Sequence, residues 1–329
     1  MDGTCPEFMA DVDIWHIGDE RLQSVQMTRA NRDRNQTYTS VVHVQGSGAN
    51  STARFVQLTD ETMENVQISE NGRYAMGSND KPYRSDWEPR YADYYLVDLD
   101  TGDRTPVLER HLRTLGFSPD GKHYLYWKDE NIWSYRTTSG DHVNLTEGFP
   151  VSLVNEQFDR WGEKPPHGIA GWTADTTGVL LRHRYDLYVQ PLDGGEPTNL
   201  TLGQGAEEEV QFRILNLNPD EELTDLSQPL TLTAYGQWTK KAGFFRLENA
   251  GSSNARLREL ALDDARFGRP TKADSTEVVL FTRQDFETFP DYHVTDLEFQ
   301  NPVQVTEANP QQAEFNWGRR ILFDYETHD

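Results

Sequence analysis

An all-β chain built from repeated four-stranded units is what the sequence predicts, and three observations predict it. The first is a recurrent turn. Val66-Gln-Ile-Ser-Glu-Asn-Gly-Arg-Tyr, Leu115-Gly-Phe-Ser-Pro-Asp-Gly-Lys-His-Tyr and Ala170-Gly-Trp-Thr-Ala-Asp-Thr-Thr-Gly each place an apolar run before a Ser or Thr and then an Asn or Asp turn. Asn and Asp bond the local backbone and Gly takes a positive φ, which suits a tight hairpin. The second is a further hairpin after each of these, turning at Gly102, Gly140 and Gly194 and ending in a Leu-Thr or similar pair. The third is spacing. Strand-four endings fall near Thr59, Leu108, Thr146, Thr201, Leu257 to Leu262 and Thr306, roughly fifty residues apart, the length of a four-stranded propeller blade. Together they predict a β-propeller of about six to seven blades, with a fragment of a seven- or eight-bladed ring as one way to read the count.

Taken in order, residues 1–60 are the irregular part of this single predicted domain, and the repeats fill 61–325. Ile14-Trp-His-Ile and Thr37 to Val44 read as strands, with Glu20 to Arg34 as a connection or distorted hairpin. Two long inserts, Lys81 to Arg90 and Gly148 to His167, interrupt the repeat. Ala313 to Tyr325 reads as a strand pair without its second half, so the count ends on a fraction. Either those strands complete a blade with N-terminal ones, or the chain is a cut piece of a larger ring. Open sheet edges would then invite pairing with a second copy, hence a possible homodimer.

Charge narrows the function classes. The chain has 31 basic and 54 acidic side chains in 329 residues, a formal net charge of −23. Long-range repulsion makes nucleic acid and anionic lipid poor partners. The lone Cys5 cannot form an internal disulfide, and no CxxC, H-E-x-x-H or other ligand spacing occurs, so neither a metal nor another cofactor is expected. No run of apolar residues is long enough to cross a bilayer. The acidic runs Glu207 to Glu209 and Asp220 to Glu222, and the trio Asp98, Asp100 and Asp103, lack the ligand pattern of a calcium loop and read as solvated loops.

A hydrolase nucleophile needs G-x-S-x-G on a sharp strand-to-helix turn. The nearest match is Gly251-Ser-Ser253-Asn-Ala255, before a stretch Arg256 to Ala265 that could be helical, but its flanks are polar and an ordinary inter-strand loop is the better reading. Trp127, Trp133, Trp172 and Trp317 sit at repeat positions and are expected in the core, where a large ring buries much area. Trp87 and Trp161 lie in the inserts instead, beside Arg84, Arg90 and Arg160. Those five are the candidate contact residues for a peptide or another domain. Of the four Asn-x-Ser/Thr triplets, at Asn35, Asn50, Asn144 and Asn199, the last two share one repeat position, which blade architecture explains without glycans.

The runs Phe117-Ser-Pro-Asp-Gly-Lys, Gly168-Ile-Ala-Gly-Trp-Thr-Ala-Asp, Tyr185-Asp-Leu-Tyr with Pro191-Leu-Asp-Gly-Gly, and Ala308-Asn-Pro-Gln-Gln-Ala-Glu-Phe-Asn-Trp-Gly resemble the propeller of large bacterial serine peptidases of the prolyl oligopeptidase family. The resemblance implies a propeller that gates peptide substrates for an α/β-hydrolase domain following it, which would carry the serine, acid and histidine. It implies that this chain alone is catalytically inactive, with the hydrolase domain expected after 329, and it suggests a periplasmic or secreted setting. The dipeptidyl branch also has paired propeller glutamates within an aromatic-acidic motif, of which Asp86-Trp87-Glu88 is a partial likeness. A stand-alone propeller of the TolB type, binding a protein or peptide, is the alternative.

Overall fold

The computed structural model describes residues 14–16, 18–46, 52–218 and 220–328. The chain divides into two compact units, 1–124 with 135–141, and 125–134 with 142–329.

In the first unit, α1 (Gln23–Arg34) is followed by β1 (Ser40–Gln45) and β2 (Thr52–Gln57), an antiparallel pair with Val42 opposite Phe55. Next comes a four-stranded antiparallel meander: β3 (Asn65–Ile68), β4 (Tyr74–Asn79), β5 (Ala92–Asp98) and β6 (Arg104–His111). Its core gathers Val56, Leu58, Met63, Ala75, Val97 and Leu99. Gly77 packs closely against it: a Cβ at this position would sit 2.1 Å from the Met63 sulfur and force that buried side chain to move. A further four-stranded sheet, whose residues are divided between the two units, runs in chain order through β7 (Thr114–Phe117), β8 (His123–Lys128), β9 (Asn131–Arg136) and β10 (His142–Asn144).

The second unit continues the pattern. β11 (Ile169–Trp172), β12 (Gly178–Arg182), β13 (Leu187–Pro191) and β14 (Thr198–Asn199) form one meander. After a short helix, α2 (Gln204–Glu208), come β15 (Val210–Ile214), β16 (Leu230–Gly236), β17 (Ala242–Glu248) and β18 (Arg256–Asp263). The last sheet splits its first strand into β19 (Arg266–Phe267) and β20 (Thr271–Lys272), both paired with β21 (Val279–Gln284), then β22 (Asp291–Thr295) and β23 (Val303–Gln304). Leu180, Leu187, Leu200, Phe212, Leu232 and Leu247 make one core, and Phe244, Phe281 and Phe299 anchor another, with Phe244 and Phe299 stacked at 4.3 Å. Each such fully buried side chain contributes about 1.5–3 kcal/mol.

Two polar devices explain why the repeat reads as it does. In the turns, buried Ser69, Ser118 and Thr173 point their hydroxyls at Asn71, Asp120 and Asp175, at 2.8, 2.7 and 2.6 Å. The residue in the left-handed region is Gly72, Gly121 and, in the third copy, Thr176, whose φ of 56° replaces the glycine. At the sheet edge, the threonine of the Leu-Thr pair bonds back across strand three. Thr146, Thr201 and Thr306 accept the backbone N–H of Ile132, Leu187 and Tyr292, at 2.8, 3.1 and 2.9 Å. Their hydroxyls lie 3.1, 2.6 and 2.7 Å from a side-chain oxygen of Asn131, Asp186 and Asp291. Thr59 accepts from Thr39 N–H at 2.7 Å in the same way, which assigns β1 and β2 to the strand-three and strand-four positions of their unit.

Several expectations need correction. Glu20 to Arg34 is largely helical, because Gln, Met, Ala and Arg are good helix formers and the run contains no Gly or Pro. An Arg29–Asp33 pair at 3.6 Å spans one turn of it, and Arg32 and Arg34 complement the dipole in its last turn. Ile14 to His16 form no strand, and Ile17, Cys5 and Asn50 lie outside the described residues. Arg256 to Asp263 is β18 rather than a helix. Ala313 to Tyr325 makes no strand pair: a 3-10 turn covers Pro310–Glu314, and residues 315–328 have no regular structure. With no sheet there to bury it, Trp317 is 55% exposed and donates its indole N–H to the Phe286 carbonyl. Trp127 and Trp172 are buried, and Trp133 is half-buried.

Candidate functional site

In the first unit, the insert between β4 and β5 packs beside α1. Arg84 is its anchor. Only 15% exposed, its guanidinium reaches Glu64 at 2.7 Å, Asp80 at 2.9 Å and Glu20 at 3.6 Å. Lys81 adds a second cation to Glu64 at 3.0 Å. Burial opposes ionisation of Glu64, yet the hydrogen bonds from Lys81 and Arg84 outweigh it and hold the carboxyl below its usual range. Burial likewise works against the Arg84 charge, and Asp80 and Glu64 more than restore it. Tyr83 is fixed by its hydroxyl on Asp93 at 2.7 Å, and Asp86 accepts the Leu22 N–H just ahead of α1. The insert is therefore stapled at both ends, while Trp87 at its tip is 78% exposed.

Two clefts open beside this staple. One, of about 470 Å³, has Trp15, His16, Leu22 and Trp87 among its walls. The other, of about 240 Å³, is lined by Arg21, Arg29, Arg32 and Arg90, with Tyr83 and Tyr91. Arg21, Arg84, Ser85 and Asp86 border both. Of the residues singled out in this insert, Arg84 borders both clefts, Trp87 lines the first and Arg90 the second. Trp161 and Arg160 belong to the second unit's insert, exposed at its tip, with Trp161 at 77%.

Sequence reasoning missed the helical wall. Val25, Arg29 and Arg32 of α1 line the smaller cleft at helical spacing, with Arg21 just ahead of the helix and Gln36 just after it. The pair Arg29 and Arg32 becomes legible only once the segment is read as a helix, with Arg21 placed beside it by the turn that enters α1. The other candidates resolve into structural roles. Asp98 accepts the N–H groups of Asp100 and Thr101 at 2.8 and 3.1 Å, capping its own turn. Ser253 lies in an exposed turn joining β17 to β18, strand to strand, so it lacks the elbow a nucleophile requires. Among the described residues no group of three or more His, Cys, Asp or Glu converges as a metal site would need. No helix among them is long and apolar enough to cross a membrane.

No family model matches the chain, and no curated protein is similar to it. Solved structures are. Dipeptidyl peptidase 4 from Porphyromonas gingivalis is 12% identical with a TM-score of 0.50, the match covering 84% of this chain and 47% of that one. The chain is a β-propeller. A putative TolB from Agrobacterium tumefaciens is 18% identical over 82% of this propeller and 88% of its own length, with a TM-score of 0.34. A prolyl endopeptidase is 12% identical over 83% of this propeller and 41% of its own length, at 0.38. The propeller spans less than half the length of either peptidase.

Proposed function

We propose that this propeller is a peptide-binding module, the non-catalytic, substrate-gating part of a prolyl oligopeptidase-like serine peptidase, with Trp87, Arg84 and Arg90 as peptide contacts and Trp161 and Arg160 as a second contact surface. The observation that carries this is the pair of clefts at the 80–91 insert, where exposed tryptophan rings stand beside guanidinium groups. Such rings supply large, rigid contact area, and guanidinium groups bind peptide carbonyls and carboxylates. In the intact parent, peptide hydrolysis would use a triad on another domain, and the setting would be periplasmic or secreted.

Titration of the purified chain with short fluorescein-labelled peptides tests the reading. Saturable binding is expected, weakened roughly two- to tenfold by Trp87→Ala or by Trp161→Ala, with protein stability changed by less than about 0.5 kcal/mol. Chromogenic peptide substrates should stay intact. Absence of binding, or hydrolysis abolished by Ser253→Ala, would overturn the proposal.

A further inference from the structure

The smaller cleft in the first unit has a charge pattern that structural pairing does not account for. Of its three carboxylates, Glu64 is paired with Arg84 and Lys81 and Asp80 with Arg84, while Asp86 accepts the Leu22 N–H and keeps its charge, so among the described residues five arginines face one unpaired carboxylate. Four other arginines line the same recess. Among the described residues, Arg21, Arg32 and Arg90 have no carboxylate within ion-pair distance, and Arg29 has only Asp33 at 3.6 Å. The Arg29 Nε is buried with no hydrogen-bond partner. In a chain of net charge −23, with 54 acidic side chains to choose from, this is the reverse of what self-neutralisation would produce. Like charges held around one recess repel, and a bound anion relieves that repulsion.

The anion's chemistry follows from the surroundings. A polyanion such as nucleic acid meets the repulsion of the whole chain, whereas a short ligand with few charges meets little of it. A free small ion would fill only the 240 Å³ recess. The recess shares Arg21, Arg84, Ser85 and Asp86 with the larger cleft walled by Trp15 and Trp87, so the space suits an extended ligand with an apolar or aromatic part beside its charge. Guanidinium forks match carboxylates in a two-pronged geometry.

We infer that the recess binds the carboxylates of an acidic peptide segment through Arg21, Arg29, Arg32 and Arg90, with an aromatic residue of the same segment against Trp87. This rests on the peptide-binding reading and narrows it to one substrate class.

The test uses the full chain and three blocked peptides, acetyl-Trp-Glu-Glu-Glu-amide and its Gln and Lys counterparts, followed by calorimetry at low and high salt, with sodium phosphate as competitor. The Glu peptide should bind about tenfold or more tighter than the Gln peptide, and the advantage should shrink with salt. Arg29→Gln and Arg32→Gln, two helix-borne arginines of the recess, should each remove about tenfold of the Glu-peptide affinity and leave the Gln peptide unchanged. Equal affinity for all three peptides overturns the inference and leaves the peptide-binding reading standing. Phosphate that displaces the Glu peptide and loses affinity equally in both variants overturns it in favour of a small-anion site. If no peptide binds, both readings fall.

Discussion

The two inserts end alike and are built differently. Trp87 and Trp161 are exposed at their tips to nearly the same extent, 78% and 77%. Behind Trp87 stands a charged staple, Arg84 with Glu64, Asp80 and Glu20. Behind Trp161 stand backbone pairing and apolar burial, with an exposed Lys164–Glu156 ion pair beside them. Val154 bridges Pro166, Asn155 N–H donates to Pro165 O at 2.8 Å, and His167 N–H donates to Leu153 O at 2.9 Å. Leu153 and Val154 are buried, and the buried Trp127 donates its indole N–H to Lys164 O at 3.2 Å. An exposed aromatic is thus no guide to how its loop is held. Charge anchoring leaves polar walls that a ligand can share, while backbone and apolar anchoring uses up its own groups.

The sharpest way to break the comparison is Leu153→Ala at the root of the second insert. It should cost about 2–5 kcal/mol in urea unfolding, with no dependence on salt, since the loss is one of packing. Arg84→Met in the first insert should cost less, about 1–3 kcal/mol, because the stranded Glu64 and Asp80 are partly solvated. Unlike the leucine change, it should shrink at high salt. If both variants respond to salt alike, the distinction between the two anchors fails.

Acid should separate the inserts with the smallest effect. Burial, with the neighbouring His183 and Arg213 adding to it, lowers the His167 pKa from 6.5 to about 4. Between those values the unfolded chain takes up a proton that the folded chain refuses, so stability contributed there is full above pH 6.5 and lost as pH falls toward 4. Glu64 responds in the same direction at lower pH: its lowered pKa gives stability present above its ordinary 4.5 and lost only as pH drops below that through the folded value. Limited proteolysis across this range should therefore cut the second insert before the first. Half-exposure of His167 keeps the effect modest.

Most of the fold was legible because its signals are local. The Ser-x-Asp turns and the Leu-Thr endings are each fixed by bonds within a few residues or to the adjacent strand, so the pattern appears in the sequence itself. All six strand-four positions fall where the repeat places them, from Thr59 to Thr306. What failed lacked such a repeat partner. Ala313 to Tyr325 alternates aromatic and polar residues, but nothing among the described residues supplies the neighbouring strand that would convert alternation into a sheet. α1 buries no residue, so it shows no apolar stripe, and its cationic pair, Arg29 and Arg32, is visible only at helical spacing. The candidate site was half-read for the same reason: Arg84, Trp87 and Arg90 stand out as loop residues, whereas Arg21, Arg29 and Arg32 look like scattered charges.

The strand-four threonines carry one more consequence. β10, β14 and β23 are only two or three residues long, too short for a ladder to hold them firmly. Each outer edge therefore depends on one hydroxyl that both gives and receives, rather than on the length or hydrophobicity of its strand. Under selection for resistance to proteolysis, the hydroxyls at Thr146, Thr201 and Thr306 would be retained while the side chains beside them drifted. In these three sheets the edge is specified by a single letter of the sequence, whereas β6 and β18, eight residues each, are held by their ladders.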